Sequence, residues 1–430
     1  MPNPVSYDVV VIGGGAAGAA AAVGAAQAGA KTLIVESGPC LGGAATQKNV
    51  LTYCGLYTAS HPARQAVGGV AEQVLEQLRA LGGVHAPLRV KFPHEAVIAI
   101  LDPEAVKLAL DRVTQVKGLT VLLHTMLVGA SREDARVKSV TLQDHGGARE
   151  VEAPVFVDAS GEGDLASYSG ASVRYGTHGS HQAGTLAVRF GGIQPGSDIS
   201  TERWAQAIHS AKQHDPASPL TKEAGLVLPI PISGDLMTLL IDADYDALDG
   251  ASISQAEIEG RRRAWAYLEA ARTIPGYEGA YIVSSGPNFG TRESRHLNSN
   301  YQVTASDVTG GARHEDVIAL GAWPMEYHPG ADKPVVWKDI KDLGTFDIPL
   351  RTLKSRDTTN LYAAGRLVDG DRGGGGAMRV MGTSFATGQA AGVAAALQSL
   401  GTTDTKAVQT ELERQGAKLR DGQTKVVDTL

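Results

Sequence analysis

Three glycines near the start limit the fold of this chain more than any other feature. Val9-Val10-Val11-Ile12 is an unbroken β-branched run, the pattern of a strand buried on both faces of a parallel sheet. Gly13, Gly15 and Gly18 follow it in the spacing G-x-G-x-x-G, and an alanine-rich stretch through Ala26 reads as a helix that Gly29 ends. In such a turn the first glycine permits the tight bend and the second lets the backbone approach a pyrophosphate. The third lets helix and strand pack closely. Lys31 to Val35 reads as the second strand, closed by Glu36. An acid about 20 residues past the glycines is placed to accept hydrogen bonds from a ribose, while the pyrophosphate rests on the helix N-terminus. The expectation is a βαβ unit holding a dinucleotide, with Gly13, Gly15, Gly18 and Glu36 on its AMP half and Ala17 and Ser37 as further cofactor contacts. The plainer alternative is a packing turn followed by a surface glutamate.

Val9 to Ala26 holds no charge over eighteen positions, the lower limit for a membrane span. Its division into strand, glycine turn and alanine helix argues against one, because a span is uniform. Lysine plus arginine total 39 against 46 acids, a net charge of −7, which leaves no basic footprint for nucleic acid or an anionic membrane. A content of 43% hydrophobic residues against 20% charged excludes intrinsic disorder. The only cysteines, Cys40 and Cys54, cannot supply a four-thiolate site, and no metal is expected. No basic segment precedes an apolar run at the N-terminus, so a reducing cytoplasm is the expected location. Glycine is the compositional outlier, with 52 residues in 430, about 12% against roughly 7% on average. Such a backbone has to pass close to something.

Further along, Leu101 to Val116 reads as a helix behind Asp102-Pro103. Leu119–Val128, Val137–Gln143 and Arg149–Val157 read as a small antiparallel meander. The strand Val155–Asp158 runs into a small-residue turn that sets Ala159 and Gly161 at the carboxyl edge of a doubly wound sheet. Residues 172–355 differ in character: they hold all four tryptophans and a helix over Ser254–Arg272, whose Arg261-Arg262-Arg263 patch reads as a solvated face. Near the C-terminus, Met378 to Leu397 reads as a second small-residue helix.

Taken in order, several segments resemble the FAD-dependent oxidoreductase family of the glutathione-reductase-like flavoprotein superfamily. They are the first fingerprint with Glu36, the Gly42-Gly43 loop, Thr52-Tyr53-Cys54-Gly55-Leu56-Tyr57, Asp158 to Ala166, Gly290 to Arg295, and Ala364-Gly365-Arg366 continuing through Arg379 to Thr383. The resemblance covers nearly the whole chain. It implies an α/β fold, with a Rossmann-like, discontinuous FAD-binding domain made of residues 1–171 and 356–430 and an inserted α+β substrate domain at 172–355. FAD is the implied cofactor. Gly42, Gly43 and Ala44 would flank its pyrophosphate or ribityl chain, and Ala159, Gly161, Gly365 and Asp371 would complete the cradle. Gly382, Thr383 and Ser384 would turn backbone N–H groups toward the flavin pyrimidine, where reduction leaves negative charge. There is one fingerprint only, so a separate NAD(P)H domain is not expected.

For catalysis the candidates are Arg379, Arg292, His296, His328 and Arg351. Arginine forks onto a carboxylate, and histidine moves protons near neutral pH. On a strand, Arg292, Ser294 and His296 would face one way. Arg292 has an alternative as an ion-pair partner of Glu293, and Arg379 as a partner of an FAD phosphate. Trp323 and Tyr327 suit a pocket wall, and Cys54 suits a buried thiol better than a redox disulfide with Cys40. The leading function is a dehydrogenase, oxidase or reductase that moves a hydride between flavin N5 and a small polar, carboxylate-bearing organic substrate. A flavin-dependent monooxygenase and an FAD-binding electron-transfer subunit are the alternatives. The external electron donor or acceptor and a homo-oligomeric state stay open.

Overall fold

The computed structural model describes residues 6–91, 94–177 and 179–430. Five strands, β1 (Val9–Ile12), β2 (Thr32–Val35), β3 (Leu119–Leu122), β4 (Val155–Asp158) and β5 (Leu361–Ala363), form one parallel sheet in the order β5-β4-β1-β2-β3. All four residues of β1 are buried, as the β-branched run requires when both sheet faces are covered. The order reverses at β1, which makes the carboxyl end of that strand the topological switch point where such sheets bind ligands.

Helix α1 (Ala16–Gln27) covers one face of this sheet, and it is buried from Ala16 through Ala26. A second long helix, α2 (Met381–Ser399), lies against it. Their alanines and glycines let two backbones touch. A Cβ on Gly388 would sit 2.1 Å from the Ala17 carbonyl oxygen, and one on Gly392 would sit 1.9 Å from that of Ala21. Part of the glycine content is therefore used in helix packing.

The meander between β3 and β4 is a three-stranded antiparallel ribbon of Met126–Glu133, Arg136–Asp144 and Gly147–Glu152. The sequence reads Leu119–Val128 as one strand, but the chain breaks at His124, which adopts the left-handed conformation (φ 51) to leave the parallel sheet. The helix expected over Leu101–Val116 spans Pro103–Val113, and Asp102 caps it by accepting from the N–H groups of Glu104 (3.0 Å) and Ala105 (2.9 Å). The helix expected from Ser254 begins a turn earlier, at Gly250, because Asp249 accepts from Ala251 (3.1 Å) and Ser252 (3.2 Å).

A four-stranded antiparallel sheet orders Val227–Pro229, Leu236–Ala243, Gly184–Gly191 and Tyr281–Ser285. One of its faces packs on the helices Thr201–His214 and Gly250–Ala271 around Trp204, Tyr267 and Phe190, a core of its own. Alternate residues such as Met237 and Leu239 point the other way, into or toward the main core. Buried residues from Leu297 to Leu353 also belong to the main core, so the 172–355 segment divides between the two. Among the described residues no helix is long and apolar enough to cross a membrane.

Candidate active site

Between the carboxyl edge of the parallel sheet and the open face of the antiparallel one lies a cavity of about 940 Å³. That is near the top of the ~300–1,000 Å³ range of ligand pockets, room for an extended molecule plus a small partner. At its nucleotide-like end the wall is made by Gly13, Gly15 and Ala17, then Glu36 and Ser37, then Gly43 and Ala44. Ala159, Gly161 and Gly365 close this end from the strands β4 and β5.

The glycines show what this wall is shaped for. Gly13 has φ +97, and a Cβ there would strike the Ala159 carbonyl oxygen at 2.3 Å. Gly15 is open on the cavity side, its nearest neighbour for a Cβ being Gly43 Cα at 3.8 Å. No side chain caps α1 at Gly15, so its first N–H groups face the cavity and favour an anion. Glu36 is buried at the rim, where its Oε2 accepts from Gly14 N–H (2.7 Å) and its Oε1 from Gly38 N–H (2.7 Å). Ser37 Oγ (3.2 Å) and Gln47 Nε2 (3.4 Å) also donate to Oε1, so Oε2 is the oxygen with a lone pair left for a hydroxyl. Two buried atoms of the cavity wall, Arg366 Nη1 and Glu162 Oε2, have no partner although the two side chains are ion-paired. An anionic dinucleotide suits this donor set and backbone.

Some expected contacts lie behind the wall instead. Gly18 is a packing glycine, since a Cβ there would lie 1.7 Å from the Gly13 carbonyl oxygen. Gly42 donates its N–H to Gly14 O at 2.8 Å. Asp371 caps the short helix Arg372–Met378 by accepting from Gly373 and Gly374, both at 2.9 Å. The helix expected over Met378–Leu397 is broken at Arg379 and Val380, so that α2 begins at Met381. At that end Gly382 N–H donates to Cys54 O (2.8 Å) and Ser384 N–H to Val380 O (2.9 Å). Two of the three N–H groups expected to face the flavin are thus spent on protein carbonyls. Thr383 lies behind them with its Oγ1 buried and unpartnered, while Met381 and Ser384 reach the cavity.

The break in the helix has a consequence for Arg379. Standing at the C-cap of Arg372–Met378, it projects into the cavity with 13% of its side chain exposed. Its Nη2 lies 3.1 Å from Glu326 Oε2, but the approach is off the N–H direction, and Nε and Nη2 make no hydrogen bond. Glu326 Oε2 also accepts from Trp323 Nε1 (2.8 Å), and Oε1 faces His328 Nε2 at 2.9 Å. Burial pushes the Glu326 carboxyl up, but Arg379, His328 and Trp323 outweigh it and hold it well below the usual carboxylate range. Burial, seconded by Arg292, lowers His328 to about 4 against the pull of Glu326. His328 is therefore neutral at physiological pH, with Nε2–H donating to the ionised Glu326 and Nδ1 bearing the lone pair.

Arg292 reaches the same cavity but is engaged. It donates to the Ala183 carbonyl (2.6 Å), and its Nη2 lies 3.4 Å from buried Asp242, which Lys222 also contacts at 2.6 Å. Glu293, the partner considered for it, pairs with His296 instead (3.1 Å). The shared strand face expected for Arg292 and His296 does not form, because only Arg295–Leu297 is strand. His296 is 1% exposed and held by Glu293 and by the Val368 carbonyl (3.0 Å), away from the cavity wall. Arg351 also lies elsewhere, paired with Asp316 and stacked 4.5 Å over the Tyr301 ring. Cys40 and Cys54 are free thiols, and burial raises Cys54 to about 12.

Lys48, Glu162, Arg366 and Glu326 are cavity residues that sequence reasoning does not single out. Lys48 is held down at about 8, first by burial and then by the Arg366 guanidinium, against Glu162 and Glu257. Only Glu326 carries a local signal, since it stands two residues from His328 and alternate strand positions share a side.

No curated protein sequence matches the chain. Among solved structures it is similar to a geranylgeranyl bacteriochlorophyll reductase-like protein from Thermoplasma acidophilum, at 14% identity and a TM-score of 0.47 over 96% of this chain and 84% of the other. It is also similar to p-nitrophenol 4-monooxygenase from Pseudomonas putida, at 12% and 0.49 over 95% and 84%. CabE, an aromatic hydroxylase from angucycline biosynthesis, gives 12% and 0.50 over 96% of this chain and 66% of its own. At this identity the last of these shows a shared fold. The sequence model of the FAD-dependent oxidoreductases matches residues 8–420. With that match over nearly its whole length, the chain belongs to the FAD-dependent oxidoreductase family, and it is an enzyme whose cofactor is FAD.

Proposed function

We propose that the enzyme moves a hydride between flavin N5 and a small organic substrate that is anchored by a carboxylate at Arg379. The observation that carries this reading is a nearly buried guanidinium with unsatisfied Nε and Nη2, set beside an ionised Glu326 and a neutral His328. A buried cation with donors to spare is complementary to an oxyanion. Bound FAD supplies the two-electron chemistry. The chain's residues then have separate tasks. Arg379 orients the substrate, Glu326 fixes the His328 tautomer, and His328 Nδ1 takes up or returns the substrate proton. Arg292, held by Asp242 and Ala183 O, adds positive potential and helps keep His328 neutral.

On the cofactor side, Gly13, Gly15, Ala17, Glu36, Ser37, Gly43 and Ala44 would line the AMP and pyrophosphate half, with Ala159, Gly161 and Gly365 opposite. Gly18 and Gly42 would support that half from behind the wall. Residues 1–171 and 356–430 supply the nucleotide wall in this reading, residues 172–355 the substrate side, and kinship with the glutathione-reductase-like superfamily accompanies it.

The test is anaerobic. The reconstituted holoenzyme is screened for flavin bleaching by carboxylate metabolites and by NAD(P)H separately. A carboxylate should bleach it, and Arg379→Met should raise the half-saturating concentration by about 10–100-fold, the worth of hydrogen bonds to a charge. Bleaching by NAD(P)H alone would sink the reading. Coupled oxygen insertion would then favour a monooxygenase, the second reading, which the fold shared with CabE supports.

Lys48 offers a check on the cofactor side. A nearby anion raises a lysine pKa by about 1–3 units, so an ammonium resting at about 8 should take up a proton when FAD binds. Calorimetry of FAD binding at pH 9 in two buffers of different ionisation enthalpy should show that uptake. Lys48→Met should abolish it and weaken FAD about tenfold. Zero uptake in the unmodified protein would remove Lys48 from the cofactor site.

A further inference from the structure

The cavity continues past Arg379 into a row of rings. Trp323 Nε1 and Arg379 Nη2 meet the same oxygen, Glu326 Oε2, at 2.8 and 3.1 Å, so the first ring stands beside the guanidinium. From Trp323 the row passes to Trp337, with centroids 5.5 Å apart and planes at 73°, and from Trp337 to His94, at 4.8 Å and 11°. All three rings line the cavity, and Leu226, Leu239 and Val335 contribute further apolar wall. Trp337 is half-buried on the short strand Val336–Lys338, with its Nε1–H already donated to Asp339 at 2.7 Å. Its polar atom is therefore occupied, and what it offers a ligand is its ring.

A charged end with unpartnered donors, followed by an angled aromatic wall, describes its complement. We propose that the site takes a carboxylate carried on an aromatic body, with the anion at Arg379 and the ring packed against the corner that Trp323 and Trp337 make, which His94 backs. This deepens the functional reading above and rests on it for the role of Arg379. A short aliphatic acid would satisfy the arginine but leave the ring row bare. An uncharged aromatic would cover the row but leave the Arg379 Nε and Nη2 donors without an acceptor, which is costly in a buried group.

The experiment uses the oxidised FAD holoenzyme, without turnover. Binding of 2-naphthoate, cyclohexanecarboxylate and 2-naphthol is measured by calorimetry. Naphthoate should bind about tenfold tighter than cyclohexanecarboxylate, the upper end of what ring–ring attraction supplies, and at least as far ahead of naphthol. Trp337→Leu keeps an apolar surface on a half-exposed strand. It should lose most of the naphthoate advantage and leave cyclohexanecarboxylate within about twofold. Equal affinity of the two carboxylates, or a Trp337→Leu effect shared equally by both, overturns the aromatic assignment and leaves the anion site standing. Failure of both carboxylates to bind overturns both readings.

Discussion

His328→Asn is expected to lower kcat for the bleaching substrate by about 10²–10⁴-fold, the usual worth of a positioned general base, while FAD stays bound. The expectation follows from three contacts. Glu326 is ionised because Arg379, His328 and Trp323 outweigh its burial. An ionised carboxylate only accepts, so the ring nitrogen 2.9 Å away has to donate. The other nitrogen is left as a lone pair on a nearly buried side chain of the cavity wall. Asparagine keeps a donor toward Glu326 and removes the base. The pH profile is a second readout. Burial and Arg292 lower His328 to about 4, so the required neutral form is present above that value and lost as the pH falls through it. kcat/KM should rise with an acid-side midpoint near 4 and stay flat through neutrality. A midpoint near the ordinary ~6.5 of histidine, or an unchanged kcat in the variant, would remove His328 from the proton path.

The largest effect on stability is expected at Gly392. A Cβ there meets the Ala21 carbonyl oxygen at 1.9 Å, together with Ala21 C and Cα, all backbone. No rotamer change relieves such a clash, so Gly392→Val has to separate α1 from α2. Overpacking usually costs about 1–3 kcal/mol, and a contact between two helix backbones belongs at or above that upper end. Both helices begin at the cavity, α1 at the glycine turn and α2 beside Ser384, so the variant should also release FAD. Chemical denaturation and flavin content after gel filtration measure the two losses. Gly250→Ala is the control, since nothing lies within 4 Å of a Cβ there. It should be neutral or stabilising by up to about 1 kcal/mol. A Gly392→Val protein as stable as the control would mean that the two helices do not touch as described.

The expected residues that do line the cavity at its glycine-rich end share one property: their meaning is local. Strand, glycine turn, helix and second strand follow one another within about thirty residues, and each glycine's task is set by its immediate neighbours. Asp102 and Pro103 start a helix for equally local reasons. Lys48 shows the limit, because nothing in Gln47-Lys48-Asn49 distinguishes it from a surface lysine. Its depressed pKa comes from burial and then from Arg366, more than three hundred positions away.

The same division runs through the catalytic candidates. Among Arg379, Arg292, His296, His328 and Arg351 the sequence sets only Arg379 apart, through the family-like segment it stands in, and packing sorts the rest. His296 is locked between Glu293 and a carbonyl, and Arg351 is turned onto Asp316 and Tyr301. Arg379 reaches the cavity because the helix breaks at its position. The chain's order of residues determined the dinucleotide fold and its glycine-lined end, since backbone freedom and strand–helix periodicity act over short distances. Which charges end up buried, paired or left with donors to spare was decided by the tertiary structure alone. Desolvation and Coulomb interaction depend on distance in space, and spacing along the chain does not report it.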